Sequence, residues 1–192
     1  MAQDHPHVEV KSRSELREWL AANHESSSGV WLIVWKKPSP YHVPYDEIVE
    51  EVLCFGWIDS QPKLLDADRS MIRLSPRKPK SGWSAVNKRR IAVLIENGMM
   101  TPAGFVAIEK AKQTGSWAKL DSAHAGEVPP DLAAAFKRHP TSKNQFDAFP
   151  PSARKAILEW ISLAKRPETR AARVEETAQQ AGRGERANQW RR

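Results

Sequence analysis

The sequence predicts an α+β fold, with a small antiparallel sheet packed by helices and a helical C-terminal subdomain. The stretch Gly29–Lys37, "GVWLIVWKK", is short and rich in β-branched and aromatic residues, which is typical of a buried strand. Residues 57–73 read as strand, turn and strand, with "DADR" as the turn. Near the C-terminus, apolar residues recur with helical spacing: Ile157, Trp160, Ile161 and Ala164.

Capping signals place two helices before the predicted hairpin. Ser12 and Glu15 have the spacing of a capping box, and the helix that they begin runs to about Asn23. A second helix has Asp46 and Glu47 in its first turn, where their charge suits the helix dipole, and a glycine at residue 56 ends it.

Two more helices follow the hairpin. Ser84 is the predicted N-cap of the first, and its core stripe is Ile91, Leu94 and Ile95. Thr101 is the predicted N-cap of the second, with proline in the first helical position. A small, polar stretch, Ser116–Glu127, then reads as a linker. We therefore divide the chain into an α+β core domain (1–117), a helical C-terminal subdomain (118–182) and a disordered tail (183–192).

Composition limits the class of protein. The 192 residues carry a net charge of +7, which favours acidic partners such as phosphates, nucleic acid or anionic membrane surfaces. No segment approaches the roughly 20 apolar residues needed to cross a bilayer, and "MAQDHPHVEV" lacks the features of a secretory signal. With a single cysteine, no internal disulfide forms. We expect a cytoplasmic protein without a membrane span.

The positive charge is concentrated in one segment. Residues 69–95 contain eight Lys or Arg residues and no Asp or Glu, and the rest of the chain has 22 basic against 23 acidic residues. Within this segment, "SPRKPKSGWS" (Ser75–Ser84) is too rich in proline to be helical and leads into a predicted helix start. Helix N-termini attract anions, so this loop is either an anion-binding site or a solvated, charged loop.

The site hypothesis gives each side chain a role. Arg77 and Lys80 supply charge, Ser81 and Ser84 donate hydroxyls, and Trp83 offers a stacking face. The full set of predicted ligand-binding residues is Trp57, Asp59, Arg73, Arg77, Lys80, Ser81, Trp83, Ser84 and Asn87.

Other reactive residues have plainer interpretations. Cys54 lies among apolar neighbours near a helix C-terminus, which favours an inert buried thiol over a nucleophile. Asp59 either caps a turn or pairs with an arginine, or it acts as a ligand or catalytic group. Asp66 and Asp68 are turn residues, with a DxD metal site as the weaker alternative. The six histidines show no ligand spacing, and His5 and His7 are placed in an exposed tail.

The tryptophans divide into two groups. Trp19, Trp31, Trp35 and Trp160 fall on helical stripes or in the strand and are predicted to be core residues. Trp57 and Trp83 flank unusual polar motifs, and their role stays open.

Four motifs together resemble the YdeI/OmpD-associated family, which is also labelled bacteriocin-protection. They are Glu50–Ser60, Ser75–Arg90, Asn97–Trp117 and Trp160–Thr177, and the likeness runs from about Trp31 to Ala181. The resemblance implies a role in resistance to stress or antimicrobial peptides and an association with an outer-membrane porin. It implies no reaction, cofactor or set of catalytic residues.

We therefore favour a cytoplasmic protein that binds an anionic small molecule or an anionic group of a protein partner through the basic loop. No cofactor or metal is expected, because phosphate-binding, nucleophile-elbow and zinc motifs are absent. Two alternatives stay open: an enzyme in which Asp59 is the general base for a phosphate- or carboxylate-bearing substrate, and a nucleic-acid-binding protein. The sequence does not decide the oligomeric state.

Overall fold

A computed structural model describes residues His5–Asn188. The chain divides into two compact units, residues 1–81 with 86–116 and residues 82–85 with 117–192. The first unit combines a sheet with helices and the second is helical, so the predicted α+β class is confirmed.

The sheet of the first unit has four strands in the order β1-β2-β4-β3. Its strands are β1 (His7–Glu9), β2 (Val30–Trp35), β3 (Trp57–Leu64) and β4 (Arg69–Pro76). The predicted hairpin is β3–β4, and β2 pairs antiparallel with β4. However, β1 pairs parallel to β2, so the sheet is mixed and the prediction of an antiparallel sheet was wrong in this respect.

Strand β1 escaped prediction because three residues are too few to show a two-residue period. The placement of His5 in an exposed tail was also wrong, since His5 is 5% exposed and lies next to this strand. His7 is exposed, as predicted, but it belongs to β1, and residues 1–4 lie outside the described residues.

Four helices accompany the sheet: α1 (Arg13–Asn23), α2 (Tyr45–Cys54), α3 (Ala85–Glu96) and α4 (Pro102–Gln113). The Ser12 side chain accepts the Glu15 N–H, as the capping box predicts. Thr101 caps α4 in the same way, through the N–H of Gly104. In α3, Ile91 and Leu94 are buried, but Ile95 is 45% exposed, so the predicted core stripe is narrower.

One face of the sheet supplies the core of the first unit. Val30, Leu32 and Leu74 are fully buried on it, and they follow the alternation expected for strands. Helices α1 and α2 bury apolar side chains of their own, including Leu16 and Val52. Strand β2 lies between β1 and β4 in the sheet. Burial therefore explains why consecutive residues of this strand are apolar, whereas a two-residue period alone would alternate apolar with polar residues.

The second unit contains α5 (Asp121–His124), α6 (Pro130–Arg138), α7 (Ser142–Ala148), α8 (Pro151–Ser162) and α9 (Pro167–Gly182). Its core is built mainly from α6, α7, α8 and α9 and includes Leu132, Phe136, Phe146, Ile157, Ile161 and Ala178. The stretch predicted as a polar linker is not one, because it contains α5 and buries Leu120 and Ala123. Within the predicted tail, Ala187 is buried, and residues 189–192 lie outside the described residues.

Candidate functional site

Arg77 follows directly after β4, at the start of the basic loop. Its backbone N–H donates to the Gly56 carbonyl at 3.0 Å, which fixes the loop to the end of α2. Burial lowers the pKa of the Arg77 guanidinium to about 10, and the nearby Asp59 carboxylate opposes that shift. The positive charge of Arg77 is therefore held in surroundings that favour a negative neighbour.

Asp59 lies in β3 and is tied to α2. The Tyr45 hydroxyl donates to Asp59 Oδ2 at 2.6 Å. Partial burial raises the pKa of Tyr45 to about 12, although the residue is 52% exposed, and the Asp59 carboxylate adds to this shift. Tyr45 thus keeps its proton and acts as a donor that orients Asp59.

Three further residues extend this group, and two of them lie in α3. Arg90 donates to Asn87 Oδ1 at 3.1 Å and forms a short ion pair with Asp46 in the first turn of α2. The charges of Arg90 and Asp46 both act on the pKa of Tyr45, so the whole group is electrostatically connected. We call it the Arg77 cluster: Tyr45, Asp46, Asp59, Arg77, Asn87 and Arg90.

The basic loop beside the cluster is firmly anchored by its backbone. The carbonyl of Pro79 accepts hydrogen bonds from Ser116 Oγ at 2.7 Å and from Thr114 Oγ1 at 2.9 Å. A turn brings the N–H of Ser81 to the Lys78 carbonyl at 2.9 Å. The side chains of Lys78 and Lys80 are exposed. The proline-rich composition therefore gives a fixed turn that presents lysines to solvent.

Three of the predicted site residues lie in this cluster: Asp59, Arg77 and Asn87. Lys80 and Ser81 lie in the adjoining loop. Arg73 is elsewhere in the first unit, where its guanidinium donates to His5 Nε2 at 2.6 Å. Trp57 is 1% exposed, and its indole N–H donates to the His24 carbonyl at 3.2 Å. Trp57 is therefore a core residue that also forms part of the wall of a cavity.

That cavity has a volume of about 520 Å³ and is mostly apolar, with Phe55, Pro102 and Val106 among its lining residues. Asp59 is not among the residues that line it. Asp59, the general base of the enzyme hypothesis, accepts a hydrogen bond from the Tyr45 hydroxyl.

Trp83 and Ser84 belong to the second unit. Trp83 is 2% exposed and packs against Trp117 with ring centroids 5.2 Å apart, so its ring does not offer the exposed stacking face that the sequence suggested. The helix start beyond Ser84 is also engaged, because the N–H of Ala85 donates to His124 Nδ1 at 3.2 Å. One of the amides expected to bind an anion already has a partner within the protein.

The bond from Ala85 leads to a pair between His124 and Glu159 that the sequence did not predict. Since His124 Nδ1 accepts, its proton is on Nε2, which donates to Glu159 Oε1 at 2.5 Å. Glu159 is 35 residues away along the chain, and no local pattern connects the two. Tyr45, Asp46 and Arg90 were missed for the same reason, because their contacts join separate elements.

The remaining candidates have structural roles. Cys54 is fully buried, and burial raises the pKa of its thiol, which confirms the interpretation as an inert cysteine. Asp66 Oδ1 accepts the N–H groups of Asp68 and Arg69 at 3.0 and 2.7 Å, which confirms its place in the turn. Among residues 5–188, no group of three or more His, Cys, Asp or Glu side chains has the arrangement of a metal site.

Residues 8–107, slightly more than half of the chain, match the family model described as Domain of unknown function (DUF8412). The chain belongs to this family. The DUF8412 match contains the Arg77 cluster and the basic loop, and residues 125–184 match a second model, described as Bacteriocin-protection, YdeI or OmpD-Associated. The YdeI/OmpD resemblance is thereby confirmed over a narrower range, which contains the Trp160–Thr177 motif.

Two other motifs of this resemblance, Glu50–Ser60 and Ser75–Arg90, lie wholly within the residues that match DUF8412. No curated protein and no solved structure matches the chain. Over the described part of the chain, none of the helices has the length and apolar character needed to cross a membrane.

Proposed function

We propose that this protein binds a small anion, or an anionic group of a partner, at the Arg77 cluster. The observation that carries the proposal is the position of the Arg77 guanidinium, half-buried beside Asp59 and directly before the exposed Lys78 and Lys80. A partly desolvated guanidinium next to exposed cations is a favourable arrangement for a phosphate or carboxylate group.

The balance of charge around the cluster supports the same function. Asp46 and Asp59 offset Arg90 and Arg77 within the cluster. Residues 78–89, which follow Arg77 in the chain, add four cations and no carboxylate, among them the exposed Lys80 and Arg89. The surface next to Arg77 is therefore positive overall, and it attracts anions over a distance of about a Debye length, roughly 8–10 Å.

Each residue has a distinct role in the proposed site. Arg77 supplies the main charge and hydrogen-bond donors, while the nearby Asp59 carboxylate favours its charged form and is itself held by Tyr45. Lys80 adds charge from the loop, and Ser81 adds a hydroxyl. We place this binding in the cytoplasm, as the single cysteine suggests, and in protection against bacteriocins, which the family description for residues 125–184 names.

Thermal unfolding of the full chain in phosphate, sulfate and citrate tests the proposal. An anion that binds only the folded protein raises its Tm with concentration. We expect Arg77→Ala to abolish this rise while leaving the Tm without ligand nearly unchanged. Arg89→Ala is the matched control, because it removes an exposed cation from the same segment and should keep the response. A large loss of stability in Arg77→Ala with an intact anion response would instead assign Arg77 to a structural pair with Asp59.

A further inference from the structure

One face of the sheet carries aromatic rings and cations in alternation. Trp31 and Trp35 are four residues apart in β2 and so point to the same side. The strand register places Arg73 opposite Trp31 and Arg69 opposite Trp35. Lys63 in β3 lies opposite Met71, which in turn pairs with Ile33 between the two tryptophans. We call this surface, with Tyr41 at its edge, the Trp31–Trp35 face.

Each of the two tryptophan rings has a cation over it, and Ile33 and Met71 are buried between them. Lys63 Nζ lies 5.9 Å from the centroid of the Trp31 ring, and the Arg69 guanidinium lies 5.4 Å from that of Trp35. Both tryptophans are half-buried, in contrast to Val30 and Leu32 on the opposite face, which are fully buried.

The aromatic row continues beyond the strand. Tyr41 is 43% exposed, and the centroid of its ring lies 5.8 Å from that of the Trp35 ring. Lys11 Nζ lies 5.1 Å from the centroid of the Tyr41 ring. Trp31 and Trp35 are separated by about 13 Å of extended strand. The face therefore offers two separate aromatic positions, each with a cation beside it.

The acidic residues near this face limit which cations are available. Glu9 accepts the Trp35 indole N–H at 2.9 Å and an Arg69 N–H at 3.2 Å, and Asp66 also pairs with Arg69. Arg69 is thus largely neutralised, and Glu9 holds the Trp35 ring in place. The charge that remains for a ligand comes from Lys11, Lys63 and Arg73.

From this geometry we infer that the Trp31–Trp35 face binds single-stranded nucleic acid. Unpaired bases stack on aromatic rings whatever their sequence, while neighbouring cations take the backbone phosphates. A duplex keeps its bases stacked inside and gains nothing from the rings. An acidic peptide would use the cations but would leave the rings without stacking partners. The inference is independent of the Arg77 cluster.

Fluorescence anisotropy of the full chain with a labelled oligothymidine of about twelve nucleotides tests the inference. Affinity should fall between about 50 and 200 mM salt, with a log–log slope of about −0.7 for each phosphate contact, or about −2 for three cations. The oligothymidine should also quench tryptophan fluorescence and bind more tightly than a duplex of equal length. No binding at about 50 mM salt, or tighter binding of the duplex, would overturn the inference.

Two pairs of variants then locate the site. Lys63→Glu should weaken binding by about tenfold or more, whereas Lys110→Glu, an exposed lysine of α4, makes the same charge change and should leave it unaltered. Trp31→Ala should cost about tenfold through lost stacking. Its control is Trp160→Ala in α8, because Trp160 carries Arg173 at 4.8 Å in a similar arrangement.

Circular dichroism should confirm that each variant is folded. If Trp31→Ala is unfolded, the comparison of Lys63→Glu with Lys110→Glu decides the question, because Lys63 is exposed. Equal losses in Lys63→Glu and Lys110→Glu would show a non-specific charge effect and refute the inference. Polyglutamate that competes as well as oligothymidine would also refute it, by assigning the face to acidic protein segments.

Discussion

The hydroxyl of Tyr45 and the carboxylate of Asp59 form a 2.6 Å hydrogen bond that joins the first turn of α2 to β3. The charged acceptor, Asp59, acts on the pKa of Arg77, and the charges of the Arg90–Asp46 ion pair act on the pKa of the neutral donor, Tyr45. The Tyr45 hydroxyl is therefore a sensitive reporter of the electrostatics of the Arg77 cluster.

We predict that Asp59→Asn lowers the pKa of Tyr45 from about 12 towards its usual value near 10. The shift should be incomplete, since burial is the largest cause of the raised pKa and remains in the variant. NMR of protein with ¹³C-labelled tyrosine follows each ring separately. Asp46→Asn is the control and should give a smaller decrease, because its carboxylate contributes least to the raised pKa.

The same bond makes stability depend on alkaline pH. Because the pKa of Tyr45 is raised on folding, its contribution is fully present below the unfolded pKa of about 10 and is lost as pH rises towards 12. In Asp59→Asn the pH range over which this stability is lost should narrow, because the pKa of Tyr45 in the folded protein lies closer to 10. An unchanged Tyr45 titration in Asp59→Asn would mean that the hydrogen bond does not form in solution.

The elements that the sequence predicted well are those whose signals are local. The caps of α1 and α4 depend on residues three apart, and the hairpin β3–β4 depends on one turn. Strand β1 forms only because β2 is beside it, so nothing in its three residues could reveal it. The Arg77 cluster likewise joins residues from α2, β3, α3 and the loop, and only Asp59, Arg77 and Asn87 were recognised beforehand.

The tryptophans show how a local pattern can mislead. The four predicted as core residues, among them Trp31 and Trp35, are half-buried and three of them carry cations on their rings. Trp57 and Trp83, which stood beside polar motifs, are the two largest of the fully buried side chains among the described residues. An indole on the outer face of a strand satisfies the same period as one in the core, so spacing alone could not separate the two cases.

We predict that Glu51→Ala destabilises the first unit strongly. Glu51 is fully buried and accepts hydrogen bonds from Arg13 Nε at 2.6 Å and Arg17 Nη1 at 2.8 Å. Its loss removes the carboxylate that Arg13 and Arg17 share, leaves Arg13 with Glu50 alone, and opens a cavity. The expected cost is about 3 kcal/mol, at the lower end for buried pairs because both arginines are partly exposed.

Glu50→Ala is the matched control, because Glu50 also pairs with Arg13, at 2.9 Å, but both partners are partly exposed. Its loss should cost less than about 1 kcal/mol. Urea unfolding of the two variants measures the difference, and similar losses would show that burial of Glu51 does not strengthen its pairing.

The junction between α2 and α4 leads to a prediction about Gly104. Thr101 Oγ1 donates to the Cys54 carbonyl at the end of α2 and also caps α4. The start of α4 therefore abuts the end of α2, where the two helix dipoles favour each other. A side chain at Gly104 would come closer than 3.0 Å to the Cys54 carbonyl oxygen and to Met100 Cε.

Gly104→Ala should accordingly destabilise the protein by about 1–3 kcal/mol through overpacking. Helix propensity alone predicts the opposite sign, a gain of roughly 0.5–1 kcal/mol for alanine over glycine inside a helix. Gly182→Ala in α9 is the control, because the nearest atom to its added Cβ lies 3.8 Å away and the substitution should be neutral or stabilising. Chemical unfolding measures the sign of the change in unfolding free energy for both variants. A stabilising Gly104→Ala would mean that α4 can move away from α2 without cost, and the contact through Thr101 would then not hold the two helices together.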